Sequence, residues 1–324
     1  EWGLSLTVDL SRRDLSMNSM ALDVLKSVYY DPYGGFEDLQ RNRICAVGEP
    51  KSRLSEDALR ILRTYRFMDQ GLAGVWKPER GLSNALRTTR SMLSKIAPER
   101  IWSELKRILL GKNASIILQR MADDGILRQI FDYDWMLDDY RISKLESVEG
   151  DDVLDRLVVL LRDVPSQMCE RIARMMKLSN QEKKTLLFRH SCLGHIPELL
   201  DSSLRIHQYV LGDWAQQHLR IESLFTPMNN GRHSSDDLQQ RILRNRGLKV
   251  TNTSKPLATG EWIMSQTNMQ QGPKLGALKN WLHREQIARN LTSLEQIGTL
   301  LCTLSWHEDE FNHWPKLQFP SQTV

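Results

Sequence analysis

The sequence predicts a mainly α-helical protein that begins with a small α/β piece. Apolar residues recur at helical spacing from about residue 55 to residue 220, as in Ile101-Trp102-x-x-Leu105-x-x-Ile108-Leu109. No alternating strand pattern of comparable length interrupts that stretch. A short β-branched and aromatic run lies instead near the start, at residues 24–30.

The first fifty residues mix short elements. Residues 9–22 predict a helix and residues 24–30 a strand, which stops at the turn Asp31-Pro32-Tyr33-Gly34-Gly35. Beyond Gly48-Glu49-Pro50 the pattern changes. Ser55, followed by two acidic residues and an apolar-periodic stretch, predicts the capped start of a long helix.

Two polar stretches, at residues 226–237 and 251–259, predict loops after the helical array. A last helical unit follows over residues 261–304. The final dozen residues, with Pro315 and Pro320, predict an extended tail.

Composition sets the class of protein. A chain of 324 residues can form two or three packed units, and 40% hydrophobic with 26% charged residues is usual for a globular protein. No run of eighteen apolar residues occurs, so we expect no membrane partner. The four cysteines form no Cys-x-x-Cys pair and predict reduced thiols in a cytoplasmic protein.

The net charge of +4 is unevenly distributed. Residues 41–130 hold 18 Lys and Arg against 9 Asp and Glu, whereas residues 131–163 hold 4 against 10. A basic block of this kind is the electrostatic signature of a polyanion partner such as RNA. A solvated helical surface is the alternative explanation.

Three short polar motifs stand in order near the N-terminus. They are Arg12-Arg13-Asp14 followed by Asn18; Asp31-Pro32-Tyr33-Gly34-Gly35-x-x-Asp38-Leu39 closing with Arg43; and Glu56-Asp57-Ala58-Leu59-Arg60-Ile61-Leu62-Arg63 followed by Arg66-Phe67. Taken singly they could be a surface ion-pair cluster, a turn and a solvated helix face. Their order and spacing together point to a nucleotide ligand.

The first motif suits a triphosphate. Arg12 and Arg13 offer forked donors for phosphate oxygens, and Asp14 can accept from a ribose hydroxyl. In the second motif, Gly34 and Gly35 supply a backbone that is flexible or can be approached closely, which a moving nucleotide pocket could use.

The third motif suits a nucleobase. On one helix Asp57, Arg60 and Arg63 would lie within an arc of roughly 120°, with Arg66 further round. Cytosine and adenine both present an amine donor beside a ring-nitrogen acceptor, whereas uracil and guanine present the reverse. Because a carboxylate accepts and a guanidinium only donates, the pair matches C and A. Against U and G the same pair would set acceptor against acceptor and donor against donor.

With these motifs the sequence resembles the class II tRNA nucleotidyltransferase and bacterial poly(A) polymerase family. The resemblance continues in Ala97-Pro98-Glu99-Arg100-Ile101, Asp124-Gly125-Ile126-Leu127, Arg156-Leu157-x-x-Leu160-Leu161-Arg162-Asp163, Leu178-Ser179-Asn180 and Gly272-Pro273-Lys274-Leu275-Gly276. It implies a residual α/β nucleotidyltransferase head piece at 1–48, then all-α neck (49–135), body (136–225) and tail (226–324) domains.

The family also implies roles for single residues. Nucleotide binding is expected at Arg12, Arg13, Asp14, Asp57, Arg60, Arg63 and Arg66, and a flexible hinge at Gly34 and Gly35. The implied activity is addition of CMP and AMP, from the substrates CTP and ATP, to the 3′ end of tRNA. The base-selecting residues would lie in the neck and a tRNA contact in the tail.

One part of the family pattern is missing. The family holds Mg²⁺ on an Asp-x-Asp strand, and no such pair precedes Arg12, where Asp9 stands alone as a helix-start acid. We therefore expect the metal-binding Asp pair upstream of Glu1, in a segment that this chain lacks. Three functions stay open: a CCA-adding enzyme, including versions that add only CC or only A; a poly(A) polymerase; and a non-catalytic RNA-binding protein.

Overall fold

The computed structural model describes residues 5–71, 74–132, 139–225, 234–248, 255–308 and 310–320. Its chain clusters into two compact units, residues 1–190 and residues 191–324. Both units are built mainly from α-helices, with four short strands near the start of the described chain. The predicted fold class, mainly helical after a small α/β piece, is confirmed.

The first unit opens with the α/β piece. Helix α1 is followed by a 3₁₀ turn and by two antiparallel strands, in which Ala21 lies opposite Tyr30. Helix α2 and strand β3 complete the piece. The bounds are α1 Leu6–Ser11, the 3₁₀ turn Ser16–Asn18, β1 Ala21–Asp23, β2 Val28–Tyr30, α2 Gly35–Gln40 and β3 Arg43–Ile44.

The predicted helix over residues 9–22 is wrong beyond Ser11. Leu15 instead forms an antiparallel bridge with Ala46. The N–H of Ser16 donates to the carbonyl of Cys45, so backbone groups that a helix would need are used across the chain. The predicted strand over 24–30 shortens to Val28–Tyr30. The Asp23 carboxylate accepts from the N–H groups of two turn residues just after it.

The rest of the first unit is helical except for one strand. Strand β4 pairs in parallel with β3, a two-residue contact that the all-helical prediction missed. The bounds are α3 Pro50–Glu56, α4 Leu59–Met68, β4 Lys77–Pro78, α5 Arg80–Thr89, a 3₁₀ helix Arg90–Lys95, α6 Pro98–Leu109, α7 Ala114–Asp123, α8 Ile126–Phe131, α9 Asp139–Ser143, α10 Val153–Leu160, α11 Ser166–Met175 and α12 Asn180–Cys192.

The predicted helix start at Ser55 is also wrong. Ser55 lies inside α3, where its hydroxyl donates to the carbonyl of Lys51. Asp57 is extended, and its Oδ1 accepts from the N–H of Leu59, so it separates α3 from α4. A short carboxylate that captures a nearby N–H competes with helix continuation. Asp57 therefore precedes the helix that carries Arg60 and Arg63.

The core of this unit lies along α4. Its Ile61, Leu62 and Tyr65 side chains are completely buried. The Tyr65 hydroxyl donates to the buried Asp124 carboxylate at 2.8 Å, which ties α4 to the end of α7. Packing of this face orients α4 so that Arg60 and Arg63 lie on the opposite side of the helix.

The second unit begins within the end of α12. It comprises α13 Asp201–Leu211, α14 Ala215–Leu224, α15 Ser235–Gly247, α16 Gly260–Thr267, α17 Pro273–Arg289 and α18 Leu294–Leu301. The last three helices confirm the predicted helical unit at 261–304. Most of the loop predicted at 226–237 lies outside the described residues, and α15 already begins at Ser235.

The end of the chain departs from the predicted extended tail. Trp314 is 7% exposed and packs with Trp281 at a ring separation of 5.2 Å. Phe319 contacts the rings of His207 and His218, which are both fully buried. Burial of the aromatic rings stabilises a packed conformation of this segment, although its prolines predict an extended one.

Further sequence-based expectations concern the whole chain. All four cysteines are free thiols. Among the described residues, no helix combines the length and apolarity needed to span a bilayer. The predicted domain borders at 48/49, 135/136 and 225/226 remain predictions.

Candidate nucleotide-binding site

Residues of the first and third motifs meet at one pocket of about 480 Å³. Six of the seven predicted nucleotide-binding residues line it, and Arg66 does not. Four further residues complete the wall. The lining residues are Arg12, Arg13, Asp14, Asn18, Asp57, Leu59, Arg60, Arg63, Phe67 and Arg100.

Two exposed arginines form the cationic side of the pocket. Arg12 and Arg13, about half exposed, both donate to the carboxylate of Asp9, at 2.7 and 3.0 Å. These two bonds lower the pKa of Asp9. Because one carboxylate can neutralise only one of the two guanidiniums, a positive charge remains at the pocket mouth.

Asp14 and Arg63 join the two motifs across 49 residues of sequence. The Nε of Arg63 donates to Oδ2 of Asp14 at 2.6 Å, and the Asn18 amide and the Leu15 N–H donate to Oδ1. Burial acts to raise the pKa of Asp14, but the bonds from Arg63, Asn18 and Leu15 outweigh it and hold that pKa below its ordinary value. Asp14 is therefore an ionised anchor that orients Arg63 toward the pocket.

Asp57 reaches the pocket from outside the helix. Its Oδ1 caps Leu59, and its Oδ2 accepts from Nη2 of Arg100 on α6 at 2.9 Å. About a third of the Asp57 side chain and half of the Arg100 side chain are exposed. Arg100 was not predicted as a site residue. The Pro98-Glu99-Arg100 motif is visible in the sequence, but nothing in the sequence links Arg100 to Asp57.

Arg60 is held by several acceptors. Its guanidinium donates to Glu56 Oε2 at 2.7 Å, to the carbonyl of Arg53 at 3.0 Å and to the carbonyl of Arg12 at 2.8 Å. These bonds leave N–H groups of the guanidinium for a ligand. With 17% of its side chain exposed, Arg60 is a fixed donor beside Asp57.

Arg66 lies behind the pocket. Its Nε donates to the nearly buried Glu104 on α6 at 2.7 Å, and 15% of its side chain is exposed. Its guanidinium lies 4.2 Å from the ring centre of Phe67, and that of Arg63 lies 5.5 Å away. Arg66 thus supports the Phe67 ring that lines the pocket. Its predicted nucleotide contact stays a prediction.

Gly34 and Gly35 lie outside the pocket, at the start of α2. Gly34 has a φ of 70°, which favours glycine. A Cβ on Gly35 would collide with the carbonyl oxygen of Ser16, so this position needs glycine for close approach. Asp31 accepts from the N–H groups of Gly35 and Phe36. Backbone conformation explains Gly34 and close packing explains Gly35, and the hinge remains a prediction.

Within the part of the chain that the structure describes, no group of three or more His, Cys, Asp or Glu side chains is arranged to hold a metal ion. Asp9 is committed to two arginines, and Asp14 to Arg63. The described residues therefore do not fit a Mg²⁺ site.

Two family models match the chain. Residues 2–45 match the model described as "Poly A polymerase head domain". Residues 77–133 match the model described as "Probable RNA and SrmB- binding site of polymerase A". The first covers the α/β piece with the Arg-Arg-Asp motif, and the second covers β4 to α8.

Relatives match over different lengths. The CCA-adding enzyme of Ligilactobacillus salivarius is 28% identical over 307 residues, 92% of this chain and 71% of the relative. The mitochondrial CCA tRNA nucleotidyltransferase 1 of Danio rerio is 33% identical over 185 residues, 56% of this chain and 42% of the relative. The solved Bacillus stearothermophilus CCA-adding enzyme in complex with CTP has a TM-score of 0.76 at 21% identity, covering 93% of this chain and 75% of that one.

The two matched models and the relatives, which are named CCA-adding enzymes or a tRNA nucleotidyltransferase, are those of RNA nucleotidyltransferases. Together they support the class II CCA-adding enzyme and poly(A) polymerase family for this chain.

Proposed function

We propose that this protein adds CMP and AMP from CTP and ATP to the 3′ end of tRNA, without a nucleic-acid template. The observation that carries the proposal is the meeting of the Arg-Arg-Asp motif with Asp57, Arg60 and Arg63 at one pocket. The side chains assigned to the phosphates and to the base would then lie within reach of a single nucleotide.

Base choice follows from two neighbouring side chains. Asp57 would accept from the exocyclic amine of cytosine or adenine, and Arg60 would donate to the ring nitrogen beside that amine. Arg100 and the Leu59 N–H hold the carboxylate of Asp57 in place. Glu56 and two backbone carbonyls do the same for Arg60. Uracil and guanine would place a carbonyl against the carboxylate and an N–H against the guanidinium, which costs binding energy.

Arg12 and Arg13 would bind the triphosphate, since both are exposed at the pocket mouth and share one carboxylate. The Asp14 carboxylate was expected to accept from the ribose. Its bonds to Arg63, Asn18 and Leu15 favour an orienting role as well, because they fix the Arg63 guanidinium toward the bound nucleotide.

Relatives support the proposal. The Bacillus stearothermophilus enzyme binds CTP, and a CCA-adding enzyme of Thermotoga maritima, with a TM-score of 0.55 at 18% identity, was solved as a complex with tRNA. Mg²⁺ would supply activation of the primer hydroxyl and neutralise the departing pyrophosphate. Mg²⁺ binding stays a prediction, and base selection by Asp57 and Arg60 does not depend on it.

The experiment measures product length. Protein expressed from the complete coding sequence is incubated with Mg²⁺, CTP, ATP and a tRNA that lacks its terminal triplet. We expect a gain of three nucleotides and then a stop.

A long A tract on generic RNA would establish the second candidate, a poly(A) polymerase, which the head-domain description favours. A gain of CC alone or A alone would narrow the activity to one half of the reaction. RNA binding with no extension would leave the third candidate, a non-catalytic RNA-binding protein.

A further inference from the structure

A second basic cavity lies in the first unit, away from the nucleotide pocket. It has a volume of about 890 Å³ and runs between β4, α5 and α7. Its cations are Lys77, Arg80, Arg87 and Arg120, none of which lines the nucleotide pocket. We call this cavity the Arg87–Arg120 groove.

Two of its arginines share one buried carboxylate. The Nε of Arg87 lies 2.5 Å from Oδ1 of Asp124, and the Nε of Arg120 lies 2.7 Å from Oδ2. The Asp124 side chain is completely buried, whereas 54% of Arg87 and 35% of Arg120 are exposed. The carboxylate therefore orients both guanidiniums but neutralises only one, and a positive charge remains at the groove surface.

The remaining charged residues of the groove leave its net charge positive. Lys77 and Arg80 are exposed at one end. The Glu79 carboxylate is used locally, because it accepts from the N–H groups of Gly81 and Leu82 at the start of α5. Any anion that enters the groove would therefore meet side-chain cations rather than the end of the helix.

The spacing of the cations indicates a polymer. Arg80 and Arg87 lie seven residues apart on α5, which places them roughly 10 Å apart along the axis. Cations set two helical turns apart can contact phosphates along one strand in turn, and a cavity of about 890 Å³ has room for more than one phosphate. The bond from Arg87 to Asp124 engages Nε and leaves the Nη groups, which suit a forked contact with phosphate oxygens.

We propose that the Arg87–Arg120 groove binds successive backbone phosphates of the RNA whose 3′ end is extended. This inference rests on the proposed function. All four cations lie within residues 77–133, the stretch that the RNA-binding family model matches without giving any residue a role. Binding by the groove is independent of base sequence, because its cations meet only the backbone.

The test uses the full chain and a tRNA transcript that lacks its terminal triplet. The affinity is measured by fluorescence anisotropy over a series of KCl concentrations. We expect the Lys77→Ala/Arg80→Ala variant to bind about tenfold more weakly, with a log–log salt slope smaller by about one to two. The matched control is Arg174→Ala/Lys184→Ala, which removes two exposed cations of α11 and α12 and should behave as wild type.

A second variant tests the forked contact between the Arg87 guanidinium and phosphate oxygens. Arg87→Lys keeps a cation beside Asp124 but cannot make a forked contact, so it should bind tRNA more weakly with little change in Tm. Equal tRNA affinity for wild type and both groove variants overturns the proposal, as does a wild type that binds no tRNA. A groove that binds free phosphate, detected by calorimetry with inorganic phosphate, while tRNA affinity stays at the wild-type value, also overturns it.

The same proteins are titrated with CTP and ATP, so that the two proposals can fail separately. Groove variants that keep nucleotide affinity but lose tRNA affinity support the groove. If the groove variants lose tRNA affinity but no protein, wild type included, binds CTP or ATP, the groove proposal is supported and the assignment of the nucleotide pocket is contradicted. Selective CTP and ATP binding with unchanged tRNA affinity in the variants contradicts the groove alone.

Discussion

Arg100 on α6 donates to the carboxylate of Asp57 at 2.9 Å, across 43 residues of sequence. Asp57 stands between two helices and belongs to neither, so its orientation depends on this bond and on the Leu59 N–H. If Asp57 contacts the base as proposed, Arg100 is a positioning residue for base choice, because it orients that acceptor.

Arg100→Ala should therefore weaken CTP and ATP binding roughly tenfold, and UTP and GTP binding much less, since only C and A need an oriented acceptor. Arg100→Lys should recover part of the loss, because it restores the charge without the planar fork. Calorimetric titration of the chain with each nucleotide measures this, with Arg174→Ala on α11 as the control. An equal loss for all four nucleotides would instead give Arg100 a phosphate contact.

Arg13→Ala should weaken binding of all four nucleotides alike, because Arg13 is assigned to the triphosphate that they share. Loss of a charged hydrogen bond costs about 1.5–3 kcal/mol, roughly ten- to a hundredfold in Kd. The control is Arg41→Ala, an exposed arginine paired with Glu37 outside the pocket. A loss confined to CTP and ATP would contradict the assignment.

Arg66→Ala should lower the free energy of unfolding more than it lowers nucleotide affinity. It leaves the Glu104 carboxylate, 5% exposed, without the guanidinium that lies 2.7 Å away, at a cost of about 1–3 kcal/mol. Urea unfolding of both single variants and of Arg66→Ala/Glu104→Ala forms a double-mutant cycle. A stable Arg66→Ala variant with poor nucleotide affinity would restore the direct contact predicted from the sequence.

Glu182 predicts a pH dependence in the first unit. Burial acts to raise its pKa, but Lys106 and Ser179 outweigh burial and lower that pKa to about 2 from the ordinary 4.5. A depressed folded-state pKa gives stability that is present above pH 4.5 and is lost as the pH falls toward 2.

Glu182→Gln should thus be less stable than wild type at neutral pH, and the difference should shrink as the pH falls through this window. Urea unfolding at several pH values measures it. A difference in unfolding free energy that does not change with pH would contradict the ion pair between Lys106 and Glu182.

The helical class and the nucleotide motifs could be predicted from the sequence, because helical periodicity and the spacing of charged residues are local properties. The break at Asp57 could not, since acids followed by an apolar-periodic stretch look the same whether they begin a helix or separate two. Nor could Arg100 be assigned, because its partner is 43 residues away.

The numbers of charged residues predict a basic block at residues 41–130, but they do not show which of its cations are neutralised by nearby carboxylates. Arg87 and Arg120 share Asp124, whereas Lys106 is matched by Glu182. The C-terminal segment shows the same limit. Its prolines suggested an extended tail, yet Phe319 packs against His207 and His218, which precede it by about a hundred residues.

Base selection by Asp57 is tested most directly by titrating wild type, Asp57→Ala and Asp57→Asn with CTP, ATP, UTP and GTP. Wild type should bind CTP and ATP more tightly than UTP and GTP. Asp57→Ala should lose about 1.5–3 kcal/mol for CTP and ATP, roughly ten- to a hundredfold, and little for the other two. Asp57→Asn keeps a side-chain acceptor for the Leu59 N–H without the charge, so it separates the two roles of the residue. If Asp57→Ala weakens all four nucleotides equally and Asp57→Asn binds all four as wild type does, Asp57 only holds the start of α4 and base selection by this residue is contradicted.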